Sequence, residues 1–168
     1  NALMYSVYWD KDIITSYFDR PASDFKPAVA VVGYGYGDYV AMRKGGKLCT
    51  PNNPIDISLF GTSFPTLEQM ESASPCRMVS ENTPPMFLWC TSQDELVPSE
   101  QTLIMGLALA RQGIDYEIHV FEKGKHGYSL ADQSTASHDY QISESVAKWT
   151  DLVKPWLYDH IPVNDLED

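Results

Sequence analysis

The sequence predicts an α/β domain built on a mainly parallel sheet, and three observations carry that prediction. Two continuous apolar runs, Ala28-Val29-Ala30-Val31-Val32 and Met86-Phe87-Leu88-Trp89-Cys90-Thr91, have the pattern of strands covered on both faces. From residue 86 onward strand-type and helix-type segments alternate, which requires right-handed crossovers and hence parallel pairing. The 168 residues, 43% hydrophobic and 21% charged, have the size and composition of one folded domain rather than a disordered chain.

Taken in order, residues 2–17 set Leu3, Val7, Ile13 and Ile14 among aromatics and charges, with Phe18 just beyond, as a helix would. Pro27 and Gly33 bound the strand at 28–32. Residues 33–80 are rich in Gly, Pro, Asn and Ser, with a short apolar piece at 55–60 and a helix expected at 66–72, and form a long excursion over one sheet edge. Pro84-Pro85 cannot extend the strand at 86–91 backward. A helix is expected at about 99–112, with Leu103, Leu107 and Ala110 on one face and Gly113 as its left-handed stop. Residues 116–121 read as a third strand. Ile142, Val146, Trp149 and Val153 make a helical stripe running to Trp156, which Pro155 is expected to kink or restart. Trp89, Trp149 and Trp156 are expected in the core.

Twelve Lys+Arg against 23 Asp+Glu give a formal charge of -11, a field that repels phosphate backbones and anionic membrane surfaces, so no nucleic-acid or membrane partner is expected. No apolar run reaches the roughly 18 residues of a spanning helix, and the first residues lack the basic region of a signal peptide. Cys49, Cys76 and Cys90 fit neither a disulfide framework nor a zinc ribbon, which points to a reduced, cytoplasmic chain. His138 and His160 lack metal-ligand spacing, and His119 alternates with Ile118 and Val120 as a packed sheet residue; no metal and no cofactor is implied. The acidic end Asp165-Leu166-Glu167-Asp168 reads as solvated.

Chemistry gathers at the carboxyl ends of parallel strands. Asp94 lies three residues beyond the strand ending at Thr91, and His126, in Gly124-Lys125-His126-Gly127-Tyr128, lies five beyond Phe121. An acid and a histidine on successive strand ends can orient an imidazole and stabilise its protonated form while it takes a proton from a nucleophile. The competing reading makes Asp94 a helix-start residue and His126 a turn residue. Tyr34 and Tyr128 stand near the same rim as candidates for substrate contact. Gly33-Tyr34-Gly35-Tyr36-Gly37 fails the dinucleotide fingerprint in both registers, because Asp38 or Val40 stands where its third glycine belongs. Gly35 at the nucleophile place of an elbow would make a dead hydrolase; a flexible turn ending the strand is preferred.

The stretch from Thr83-Pro84-Pro85-Met86 through Asp94-Glu95-Leu96-Val97-Pro98 and Gly113-Ile114-Asp115-Tyr116 to Gly124-Lys125-His126-Gly127-Tyr128-Ser129-Leu130-Ala131 resembles the C-terminal half of α/β-hydrolase esterases. The group it resembles is that of acetyl esterases and acetylxylan esterase-like lipase/esterase proteins, relatives of the prolyl oligopeptidase superfamily. Lys26-Pro27-Ala28-Val29-Ala30-Val31-Val32-Gly33-Tyr34 is similar to that family's strand after the nucleophile helix. The resemblance implies that Asp94 is the acid and His126 the base of a Ser-His-Asp triad acting on a small-molecule, short-acyl ester, sugar-linked esters among them. A prolyl oligopeptidase-type peptidase and a non-catalytic fragment or interaction subunit are the alternatives. The family's G-x-S-x-G elbow and upstream glycine-rich oxyanion loop are absent from the sequence. Ser6 has no flanking glycines and falls in a helical pattern, so it is not the expected nucleophile. The expectation is one partial α/β-hydrolase domain over residues 1–168 that partners the missing N-terminal half of its own fold; self-association into a homo-oligomer is compatible with the sequence.

Overall fold

In a computed structural model, which describes residues 1–44 and 53–161, three parallel strands form one sheet in the order β1-β2-β3. They are β1 (Ala30–Gly33), β2 (Met86–Thr91) and β3 (Tyr116–Phe121). β1 pairs with β2 from Ala30 opposite Met86, and β2 with β3 from Met86 opposite Tyr116 to Thr91 opposite Phe121. The helices are α1 (Ala2–Tyr8), α2 (Asp12–Thr15), α3 (Tyr39–Lys44), α4 (Pro54–Phe60), α5 (Leu67–Ser72), α6 (Glu100–Gln112), α7 (Glu144–Ala147) and α8 (Trp149–His160). Cys49 and the acidic end lie outside the described residues.

β2 explains the layering. Every one of its residues is buried, and its side chains alternate between two cores. Met86 and Leu88 meet Leu3 and Val7 of α1 and Met105 and Leu109 of α6 on one face. Phe87 and Trp89 meet Val153 and Trp156 of α8 on the other. A strand paired on both edges and covered on both faces needs the unbroken apolar run that its sequence shows.

Elsewhere the folded chain departs from the pattern. The expected helix at 2–17 breaks between α1 and α2, where the buried Trp9 donates its indole N–H to the Asn82 carbonyl and Lys11 turns extended. The face of α6 carrying Leu103 and Leu107 points outward, each about half exposed; Gln101, Thr102, Met105, Gly106 and Leu109 are buried instead. Gly113 ends α6 with φ 68°, as expected. Pro155 sits inside α8, and the C-terminal helical segment restarts at Lys148, seven residues earlier.

The excursion at 33–80 holds more helix than expected. Thr66 and Gln69 form a capping box at the start of α5, and Asn53 with Pro54 opens α4. Asp38 caps α3 by accepting the Ala41 N–H at 3.0 Å, meets the Arg77 guanidinium at 3.0 Å and accepts from the Ser74 hydroxyl at 3.3 Å. The Gln101 side chain accepts the Asp38 N–H at 2.9 Å, tying the excursion to α6. Tyr39 and Arg43 both bond the buried Asp56 carboxylate, which closes α4 onto α3.

Burial alone would raise the Asp38 carboxyl, but the Ala41 amide and the Arg77 guanidinium outweigh it and hold the group below its ordinary value of 3.8. The folded state therefore binds this proton less readily than the unfolded chain, so the contribution is complete above pH 3.8 and is lost as pH falls through the lowered value. Urea midpoints followed on acidification should fall more steeply for the wild type than for Asp38→Asn. Parallel curves would remove this carboxylate from the acid response.

The glycines of 33–37 are closely packed. A Cβ on Gly33 would stand 2.7 Å from the Trp89 indole, one on Gly35 2.5 Å from Leu3, and one on Gly37 2.2 Å from the Gln101 carbonyl oxygen. Close packing of β1 and its exit against β2, α1 and α6 fixes all three.

Candidate functional site

Asp94 and His126 leave adjacent parallel strands at the same end of the sheet. After β2, the Ser92 N–H donates to the Phe121 carbonyl at 2.8 Å and the Ser92 hydroxyl to the Glu122 carbonyl at 2.6 Å, so the two exit loops start out clasped. The Asp94 Oδ1 then accepts the N–H groups of Leu96 and Val97, both at 2.8 Å, folding the loop around its own side chain. The second loop turns at Gly124, φ 136°, and Gly127, φ 80°, conformations that suit glycine. From the C-terminal side, the Gln141 amide donates to the Gly127 carbonyl at 2.8 Å and the Trp149 indole to the Ser129 carbonyl at 2.9 Å.

This frame brings the His126 Nδ1 to 2.8 Å from the Asp94 Oδ2. A carboxylate oxygen accepts, so Nδ1 carries the proton and donates it, leaving the Nε2 lone pair for chemistry. The Asp94 side chain is fully enclosed while the imidazole is 35% exposed, a buried acid behind an accessible base. Asp94 does not start a helix, since α6 begins at Glu100; one of its oxygens holds a loop turn and the other meets the imidazole. Its charge is felt nearby. Burial, then Asp94, raises the Tyr36 phenol; burial likewise raises the Cys90 thiol, opposed by Thr102 and reinforced by Asp94.

The other three histidines and Ser6 have partners outside this pair. His119 is half-buried against Phe87, with Nε2 2.6 Å from the Glu117 carboxylate. His138 stacks on Tyr140, and the His160 Nδ1 donates to the Trp156 carbonyl inside α8. Ser6 is buried and donates to the Ala2 carbonyl within α1. Trp89 and Trp156 are in the core, and the partly buried Trp149 stacks on Trp89 with ring centroids 4.9 Å apart. Tyr34 and Tyr128, the candidates for substrate contact, are both buried, and the Tyr34 ring packs against His126. Among the described residues no cluster of three His, Cys, Asp or Glu could hold a metal ion, and no helix is long and apolar enough to cross a membrane.

The sequence reading missed what Tyr34 does here. It has a left-handed backbone, φ 58°, unusual for a residue with a side chain, and its ring lies between Trp89 and His126. Its hydroxyl and that of Thr91 are buried close together without closing a hydrogen bond, and burial pushes the phenol well above its ordinary value. A bulky residue set between two closely packed glycines was the available signal.

A family model described as BD-FAE matches residues 3–109, a span that includes Asp94 and stops short of His126. The endo-1,4-beta-xylanase B of Butyrivibrio fibrisolvens is 37% identical over 68 residues, which are 40% of this chain and 11% of that protein. Among solved structures, an acetyl ester-xyloside bifunctional hydrolase from Caldicellulosiruptor lactoaceticus matches at TM-score 0.68 and 28% identity, over 94% of this chain and 52% of that one. MGS-M1, an alpha/beta hydrolase enzyme from a Medee basin deep-sea metagenome library, matches at TM-score 0.59 and 26% identity, over 82% and 46%. The chain spans about half the length of these structures.

Proposed function

Because the chain belongs to the BD-FAE family and has the α/β-hydrolase fold, we propose that it supplies the acid and base of a serine carboxylic ester hydrolase. The observation that carries this reading is the hydrogen bond from the His126 Nδ1 to the enclosed Asp94 carboxylate at the carboxyl ends of β2 and β3. In this scheme His126 Nε2 takes the proton of a serine hydroxyl as it attacks the ester carbonyl, then gives it to the departing alcohol. It next draws a proton from the water that attacks the acyl-enzyme and returns it to the serine oxygen as the acyl–oxygen bond breaks and the acid leaves. Asp94 fixes the tautomer that leaves Nε2 basic and stabilises the imidazolium formed in each half-reaction.

The serine and the oxyanion donors come from outside these 168 residues, a reading supported by the chain's half-length match to its structural neighbours and by the missing elbow motif. The substrate class is a short-acyl ester of a carbohydrate. The names of an acetyl ester-xyloside hydrolase and of a xylanase among the similar proteins support it. Assay of the protein carrying this chain on acetylated xylan oligosaccharides, p-nitrophenyl acetate and a proline-containing peptide should show turnover of the two esters only. Peptide cleavage would favour a peptidase, and no turnover of any substrate would favour an interaction subunit.

A further inference from the structure

Taking the Asp94–His126 pair as the working acid and base, we propose that Tyr34 is a positioning residue for His126, its ring fixing the plane in which the imidazole meets Asp94. Tyr34 follows directly on β1 and prolongs its ladder, the Tyr34 N–H donating to the Trp89 carbonyl at 3.0 Å. At that point the backbone turns left-handed, a conformation tolerated only where the surroundings impose it and one that clusters at functional sites. The glycines on either side leave no room for a Cβ, Gly33 lying against the Trp89 indole and Gly35 against Leu3.

The turn drives the ring inward. It meets Trp89 edge-on at 4.7 Å between centroids and lies against His126 at 5.0 Å and 57°. One hydrogen bond does not by itself fix both side-chain torsions of His126, about a third of whose surface is open to solvent, so a packed neighbour is needed to set the ring plane. The ring of Tyr34, a buried residue, is backed by Trp89 and is that neighbour. Its hydroxyl lies beside Thr91, and the imidazole meets the ring, whose plane is tilted 57° from its own. A residue serving only to turn the chain here would be better as glycine, which adopts the same backbone without strain.

That contrast supplies the test. The protein that carries this chain, labelled with nitrogen-15 at histidine, is observed by NMR for the far-downfield His126 Nδ1 proton and the nitrogen shifts that report its tautomer, assigned by their absence in His126→Gln. The wild type and Tyr34→Phe should both show the proton and one fixed tautomer. Tyr34→Gly, which eases the backbone and removes the ring, should lose the downfield signal and average the two tautomers, with the signals of the other histidines unmoved. In the ester assay the same variant should lose about a hundredfold in kcat, the scale of a misplacement near 1 Å, with KM little changed.

An intact His126 signature in folded Tyr34→Gly overturns the inference and leaves the acid and base reading standing. A lost signature with undiminished ester turnover retains the positioning role and overturns the catalytic one. Should the glycine variant fail to fold, Tyr34→Asn, which also tolerates a left-handed backbone, is read in the same way. Failure of both to fold while Tyr34→Phe folds makes the ring a strut of the fold and ends the proposal.

Discussion

Replacing Asp94 by asparagine in the protein that carries this chain is expected to lower ester turnover by on the order of 10⁴-fold while leaving the fold in place. The substitution separates the two jobs of the side chain. An asparagine oxygen still accepts the Leu96 and Val97 amides, so the loop keeps its turn. The other position then becomes an N–H donor facing the His126 Nδ1, and the ring must present a lone pair there and carry its proton on Nε2. That tautomer cannot act as the base. His126→Ala should abolish release of p-nitrophenol from its acetate ester above background. Undiminished turnover in either variant would exclude the pair from the reaction.

The largest expected effect on stability is at Phe87. Its side chain is fully buried at the centre of β2, with ring centroids 5.7 Å from Trp156 and 5.2 Å from His119. Truncation to alanine leaves a cavity between the sheet and α8 that neighbours on a doubly paired strand cannot collapse to fill, and should cost about 3–5 kcal/mol. Against a total stability of roughly 5–15 kcal/mol for a domain, that is a large share. Leu103→Ala, on the exposed face of α6, should change stability by only about 0.5 kcal/mol or less. Chemical denaturation of both variants checks the contrast; equal losses would mean that the outward face of α6 is covered in solution.

Leu103 and Leu107 also show where the sequence was legible and where it was not. β2 and β3 were readable to the residue, because an apolar run bounded by Pro85 and an alternating run after Gly113 each admit one local solution. α6 was readable as a helix but not in its rotation. Its inward face is Gln101, Thr102, Met105, Gly106 and Leu109, chosen by contacts with β2, β3 and the excursion rather than by hydrophobicity. Within residues 33–80, α3 and α4 were missed although their caps, Asp38 and the Asn53-Pro54 pair, stand in the sequence; each helix is too short for periodicity to register. Asp94 and His126 were legible as residues just past two strand ends, and the resemblance to esterases singled them out as a pair. The place of Tyr34 was not legible, because a left-handed turn at a tyrosine depends on how tightly Trp89 and Leu3 crowd its neighbours.

The pairing of β2 with β3 runs unbroken from Met86 opposite Tyr116 to Thr91 opposite Phe121, and a single crossover, α6, joins the two strands. The acid and the histidine thus travel as one cassette whose internal spacing is set by the ladder. An insertion at the turn after Gly113, at the far end of that cassette, lengthens the return path without altering the distance between the two functional loops. Deleting one residue inside β3 does the reverse: it swaps the strand's inward and outward side chains and carries the histidine out of reach.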